Sequence, residues 1–227
     1  MVRSVLYIIG IIITSSLFSC NQNSSDNKAE DVPIATNESL PFFNKPDWTP
    51  EWISLADSAY KSIHTIPKFS FTNQDGNTIT QDYVNGKIYV ANFFFSRCRG
   101  ICPKMATNMQ LLQESYKNDP DIILLSHSVT PEADSISILK KYALDNKVDA
   151  KKWNLLTGDK SEIYSLAKHE YFAGDSIGYY QTGNEFLHTE NFILVDKHRR
   201  IRGVYNGTLA LEIERIRTDI NTLKLEE

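Results

Sequence analysis

Hydrophobic and polar positions change character near residue 60. Residues 21–60 are polar at first and then carry Pro41, Pro46 and Pro50 among Trp48 and Trp52, the pattern of a tether whose aromatic side chains dock part of it. From Pro67 the pattern tightens. Residues 68–72 and 78–80 flank Asn73-Gln74-Asp75-Gly76-Asn77, a β-hairpin with its turn residues in place. An unbroken apolar run over 87–95 predicts a buried strand. Met105, Met109, Leu112 and Tyr116 recur at helical spacing over 102–117, and 121–127 reads as a second apolar strand. Thr130-Pro131-Glu132 predicts a helix running to about 146, with Thr130 as N-cap and Pro131 in its first position.

A strand at 153–157 then ends at Gly158, and Asp159 caps a helix to about His169. A Gly- and Tyr-rich loop over 170–187 precedes a strand at 191–196, a turn at 196–199 and a strand at 201–206. The chain closes on an amphipathic helix over 210–224 that carries Leu211, Ile213, Ile216, Ile220 and Leu223. No internal repeat is present. Strands and helices alternate first, and a hairpin plus helix ends the chain. That is the order of an α/β thioredoxin-like sandwich with an N-terminal β-hairpin and a loop insertion before the last hairpin.

The first 20 residues change the picture of where this fold works. Arg3, the apolar stretch from Val5 to Ile13 and the tetrapeptide Leu17-Phe18-Ser19-Cys20 predict a lipoprotein signal peptide over 1–19. Cys20 is then the lipidated first residue, residues 20–60 the lipidated tether and 61–227 the folded domain. Phe18 is bulky for such a box. An uncleaved membrane anchor needs about 20 apolar residues and finds fewer here. The expected place is the bacterial cell envelope, lipid-anchored and facing the periplasm. With 24 basic and 28 acidic residues, the net charge of −4 gives no footprint for nucleic acid.

Processing leaves Cys98 and Cys102 as the thiols of a domain in an oxidising compartment, where a single pair points to function more than to a disulfide framework. They stand where the apolar strand stops and a helix begins. Helix N-termini carry partial positive charge, and Arg97, Arg99 and Lys104 add to it, which favours thiolate. Their spacing is i, i+4. On a helix that separates Cβ atoms by roughly 5–6 Å, wider than the about 3.8 Å of a disulfide. A disulfide still forms if Cys98 lies in the loop, while a shared metal at about 2.3 Å from each sulfur fits with less distortion. Two small buried hydrophobes are the third reading.

These residues resemble the Sco (SenC) family, accessory factors for cytochrome c oxidase assembly, over about 62–224. The resemblance is carried by Cys98-x-x-x-Cys102-Pro103 after an aromatic strand, Ser128-Val129-Thr130-Pro131-Glu132-Ala133-Asp134, Leu155-Leu156-Thr157-Gly158, and His188 ahead of Asn191-Phe192-Ile193-Leu194-Val195-Asp196. It implies that Cys98, Cys102 and His188 bind one copper ion, Cu(I) or Cu(II), per monomer. The donor chemistry agrees, since thiolates select Cu(I) and an imidazole completes a site that also tolerates Cu(II). Zinc could take the same set with a water, but no neighbouring Glu-rich motif supports hydrolysis. Two departures from the family pattern stand near the site: Arg99 in place of a proline and Thr130 in place of an aspartate.

The resemblance implies a metallochaperone, a carrier rather than an enzyme, that delivers copper to the binuclear copper site of the oxidase's copper-bearing subunit. Other expected partners are another periplasmic copper carrier or a thiol reductant, and the membrane through the lipid anchor. The alternative is a thiol–disulfide reductase that keeps that site's cysteines reduced. A peroxidase ranks last, because Phe95 stands where a peroxidatic cysteine has a threonine three residues before it. His64, His127, His169 and His198 read as structural or surface residues. Met105 and Met109 read as core.

Overall fold

Strand β5 (Ile88–Phe94) is buried along its whole length, which requires cover on both of its faces. A computed structural model of the chain describes residues 39–174 and 189–226. In it a seven-stranded sheet runs in the order β4-β3-β7-β6-β5-β8-β9. Its elements are β3 (Ser70–Asn73), β4 (Thr78–Thr80), which runs into the one-turn helix α1 (Gln81–Val84), β5, β6 (Ile122–Ser128), β7 (Trp153–Thr157), β8 (Asn191–Val195) and β9 (Ile201–Asn206). Strands β5, β6 and β7 are parallel, β3 and β8 run antiparallel to their inner neighbours, and β4 and β9 close the two edges as hairpin partners.

Two apolar layers cover the sheet because β5 alternates its side chains between them. Ile88, Val90 and Phe94 face the layer that holds helices α2 (Cys102–Ser115), α3 (Ile136–Asp145) and α5 (Ala210–Leu225). Tyr89, Ala91 and Phe93 face the other layer, built on Phe69, Phe71 and helix α4 (Lys160–Ser165), whose last turn widens to a π-helix at Leu166–Glu170. Met105, Met109 and Leu112 form the stripe that docks α2 and are fully buried. Each such side chain contributes about 1.5–3 kcal/mol by leaving water. This is a thioredoxin-like sandwich.

The hairpin at 70–80 forms as its turn chemistry requires. Gly76 takes φ +83, and the Asn73 Oδ1 accepts from the Asp75 and Asn77 amides at 3.0 and 2.9 Å. Asp159 caps α4 by accepting from the Glu162 amide at 3.0 Å. One expectation fails. Thr130 does not open a helix; residues 131–133 form a turn and α3 starts at Ile136. The Thr130 hydroxyl instead donates to Asp134, so a tertiary acceptor takes the group that would have capped a helix.

The second half of the expected tether is folded. Strands β1 (Phe42–Phe43) and β2 (Pro50–Glu51) pair antiparallel, and Phe42 is buried beneath Arg200 and Arg202, whose guanidinium carbons lie 4.9 and 4.2 Å from its ring centroid. Arg202 also donates to the Leu40 and Pro41 carbonyls and pairs with Asp196 and Glu226, while the Leu40 amide donates to Glu226 at 2.8 Å. Trp48 stacks edge-on to Phe43 and Phe172, whereas Trp52 stays exposed. No helix among the described residues is long and apolar enough to cross a membrane. Cys20 and the 1–19 leader lie outside the described residues, as do His188 and most of the predicted loop insertion.

Candidate metal centre

The cysteines stand where β5 leaves the sheet. After Phe94 the chain turns, with the Cys98 amide donating to the Phe95 carbonyl at 3.2 Å, and α2 begins at Cys102 with Pro103 in its first turn. Both cysteines are free thiols. They are not equivalent. Cys98 is half-buried and Cys102 is buried, 5% exposed, against the layer formed by Phe94 and Met105.

The two environments push the thiols apart. Burial raises the Cys98 thiol, but a hydrogen bond from Cys102 and the amides of Cys102, Gly100 and Ile101 outweigh it, so the net shift is downward. Burial is also the main influence on Cys102 and pushes it up to about 12, with the Cys98 charge adding to the rise. The more accessible sulfur is therefore the one that gives up its proton more readily, and the buried one is its hydrogen-bond donor. Arg97, Arg99 and Lys104 are exposed, and the main influences that lower Cys98 are the Cys102 thiol and the backbone amides.

Sequence reasoning missed Tyr142. It projects from α3 onto Phe94, ring centroids 5.2 Å apart, and its hydroxyl is held protonated first by burial and then by the charges of Cys102, Cys98 and Asp134. Its ring packs on the last residue of the strand that leads into the cysteine loop. No heptad or turn signal in the sequence marks Tyr142.

Among the described residues no third His, Cys, Asp or Glu stands beside the two thiols to complete a metal set. His188 lies outside them. The strand that follows it is well defined: β8 pairs antiparallel with β5 through Ala91 and Ile193, so Asn191 comes alongside the end of β5 from which the cysteine loop leaves. This approach is fastened to α2. The buried Asn108 donates to the Gly207 carbonyl at 2.7 Å, and the Gly207 amide donates to the Glu190 carbonyl at 2.7 Å. A Cβ on Gly207 would meet Phe192 at 2.5 Å and that carbonyl at 2.9 Å, so no larger residue fits.

The remaining histidines lie elsewhere. His127 is fully buried on the opposite face of the sheet, ringed by Phe69, Phe71, Phe93 and Tyr171. The His64 Nε2 lies 2.8 Å from the Glu170 carbonyl, and His169 and His198 sit in the last turn after α4 and in the β8–β9 turn. Met105 and Met109 are core.

A family model described as SCO1/SenC matches residues 58–224. The structure is similar to that of a SCO1/SenC family lipoprotein from Bacillus anthracis strain Ames, with 31% identity, a TM-score of 0.62, and coverage of 71% of this chain and 95% of that one. It is similar to BsSco, a member of the Sco family of cytochrome c oxidase assembly proteins studied for a disulfide switch, with 29% identity and a TM-score of 0.62 over 73% of this chain and 96% of that one. Yeast Sco1 solved with copper bound has 22% identity and shares the fold at a TM-score of 0.54, over 70% of this chain and 89% of that one.

Proposed function

We propose, from the premise that the chain belongs to the SCO1/SenC family, that it is a copper carrier for cytochrome c oxidase assembly. Cys98, Cys102 and His188 take up one copper ion and pass it to the oxidase's copper-bearing subunit. The observation that carries this reading is the unequal pair of free thiols at the β5–α2 junction, an accessible one whose proton affinity is drawn down and a buried one held beside it. Soft sulfur donors at this spacing suit Cu(I), and the imidazole of His188 supplies the third donor that also admits Cu(II). The copper in the yeast neighbour, carried on the same fold, supports the choice of metal.

The asymmetry gives transfer an order. Cys98 is the ligand an incoming soft donor can displace first, because it is the sulfur that solvent reaches. Cys102 lets go last. A lipid on Cys20 holds the domain at the envelope membrane, facing the periplasm, and the lipoprotein from B. anthracis supports that anchoring.

The same asymmetry favours a second reading, reduction of disulfides. The Cys98 thiolate attacks one sulfur of a partner disulfide, forming a mixed disulfide and releasing the other sulfur as thiolate. Cys102 then loses its proton, attacks Cys98, and leaves a Cys98–Cys102 disulfide and a reduced partner. The disulfide switch studied in BsSco supports keeping this reading.

His188→Ala separates the two. A carrier needs the imidazole as ligand and thiol exchange does not, so the variant is expected to bind copper more weakly, Cu(II) most of all, while still reducing disulfides. Copper affinity in both oxidation states is measured beside the rate of disulfide reduction. Wild-type copper binding together with lost reduction replaces the carrier with the reductase. In Cys98→Ser and Cys102→Ser a hard hydroxyl replaces a soft donor and tight Cu(I) binding is expected to vanish; retention of it in the double variant removes the site.

A further inference from the structure

Asp134 is fully buried, and among the described residues no cation pairs with it. Its carboxylate is held by dipoles alone. Oδ2 accepts from the Ser96 amide at 3.1 Å, the Ser128 hydroxyl at 2.6 Å and the Thr130 hydroxyl at 3.1 Å, and Oδ1 accepts from the Ser96 hydroxyl at 2.5 Å. Ser128 is the last residue of β6 and Ser96 lies two residues before Cys98. Two of the four bonds therefore grip the cysteine loop, and two tie that grip to the rigid end of a central strand.

A buried carboxylate is costly unless it is fully hydrogen-bonded, and an apolar group of the same size often serves stability as well. What an apolar group cannot do is hold the amide and the hydroxyl of one loop residue together. We propose that Asp134 is a positioning residue for the thiol site: through Ser96 it fixes where the loop places Cys98 relative to Cys102. The dithiol–disulfide balance and the copper affinity of the pair then depend on a carboxylate that touches neither sulfur. Thr130, where this chain departs from the family pattern, serves as a donor to that carboxylate. The copper part rests on the functional reading above; the thiol part stands without it.

The full chain is compared with Asp134→Asn, Ser96→Ala and Thr130→Val. Three quantities are read: the Cys98–Cys102 equilibrium against glutathione, Cu(I) affinity by competition with a chromophoric chelator, and the urea midpoint. Asp134→Asn keeps the size but loses one acceptor oxygen, and Ser96→Ala loses only the loop-side hydroxyl. Both are expected to shift the glutathione equilibrium and to weaken Cu(I) binding by about 10–100-fold, the range for outer-shell partners of a metal site. Thr130→Val removes a donor on the strand side and is expected to lower the urea midpoint while both site readouts stay near wild type.

The proposal is overturned if Asp134→Asn and Ser96→Ala keep the wild-type equilibrium and affinity. It is equally overturned if all three variants move the site readouts only in step with stability, which is a structural role. Should Asp134→Asn fail to fold, Ser96→Ala decides, since it leaves the Ser128 and Thr130 bonds in place. A wild-type chain that binds no copper defeats the carrier reading, and the glutathione equilibrium still tests the positioning.

Discussion

Cys98 and Cys102 are separated by one helical turn of sequence and by a large difference in proton affinity. Backbone amides and the neighbouring S–H draw Cys98 down, and burial pushes Cys102 up to about 12. Iodoacetamide at pH 7 is therefore expected to alkylate Cys98 well before Cys102 in the reduced chain, with peptide mass spectrometry assigning the site. Equal labelling of the two removes the order of transfer derived from their asymmetry. His127 is a second residue whose surroundings set its charge. Burial lowers it to about 4 from 6.5, the Asn92 backbone offsets only part of that, and neither ring nitrogen finds a partner in good geometry among the described residues. Between those two pH values the unfolded chain holds a proton that the folded chain excludes. Stability must then fall as pH drops from 6.5 and level off below 4, by roughly 3 kcal/mol from this residue. His127→Phe, which suits the aromatic ring around it, is expected to flatten the difference between urea midpoints at pH 7 and pH 4.5. A variant with the wild-type slope assigns that slope to other groups.

Elements of this chain are held to the site by contacts as much as by their own propensity, and the Asn108–Gly207–Glu190 chain shows it most directly. Gly207→Ala forces a methyl group against Phe192 and the Glu190 carbonyl. The expected cost is about 1–3 kcal/mol of overpacking. Because Glu190 lies two residues past His188, Cu(I) affinity should fall as well; a stable variant with unchanged affinity unlinks the two. The same dependence decides what could be read from the sequence. β5, β6 and β8 were legible because buried strands write their burial as apolar runs, and the 70–80 hairpin because Asn73 and Gly76 carry their own turn chemistry. The cysteine pair was legible from spacing and from its place after an apolar run. Thr130 was misread because Thr-Pro-Glu is a sound local helix start, and only the folded chain brings Asp134 to compete for its hydroxyl. β1 and β2 were illegible at two residues each, since Arg202 and Arg200, far along the chain, give them their shape. Tyr142 carries no signal of its own in the sequence, because its packing on Phe94 is made only in the folded chain.

At the scale of the whole molecule, Arg202 joins the start of the folded chain to its end. It is 2% exposed and serves Asp196, Glu226 and two backbone carbonyls at once. Arg202→Ala leaves Glu226 and both carbonyls without that donor and Asp196 with Arg200 as its remaining cation. A loss of about 3–5 kcal/mol is expected from urea denaturation, as for other buried pairs broken on one side. Limited proteolysis should show new cleavage over residues 39–60, and protection equal to wild type there removes the clamp. Its consequence reaches past stability. Residues 42–60 are part of the folded domain and do not extend its reach; at about 3.3–3.6 Å per residue, the same stretch as open chain would let the fold stand up to about 65 Å farther from whatever holds it on the N-terminal side. A hydrogen bond between residues 161 apart in sequence therefore sets the length of the leash.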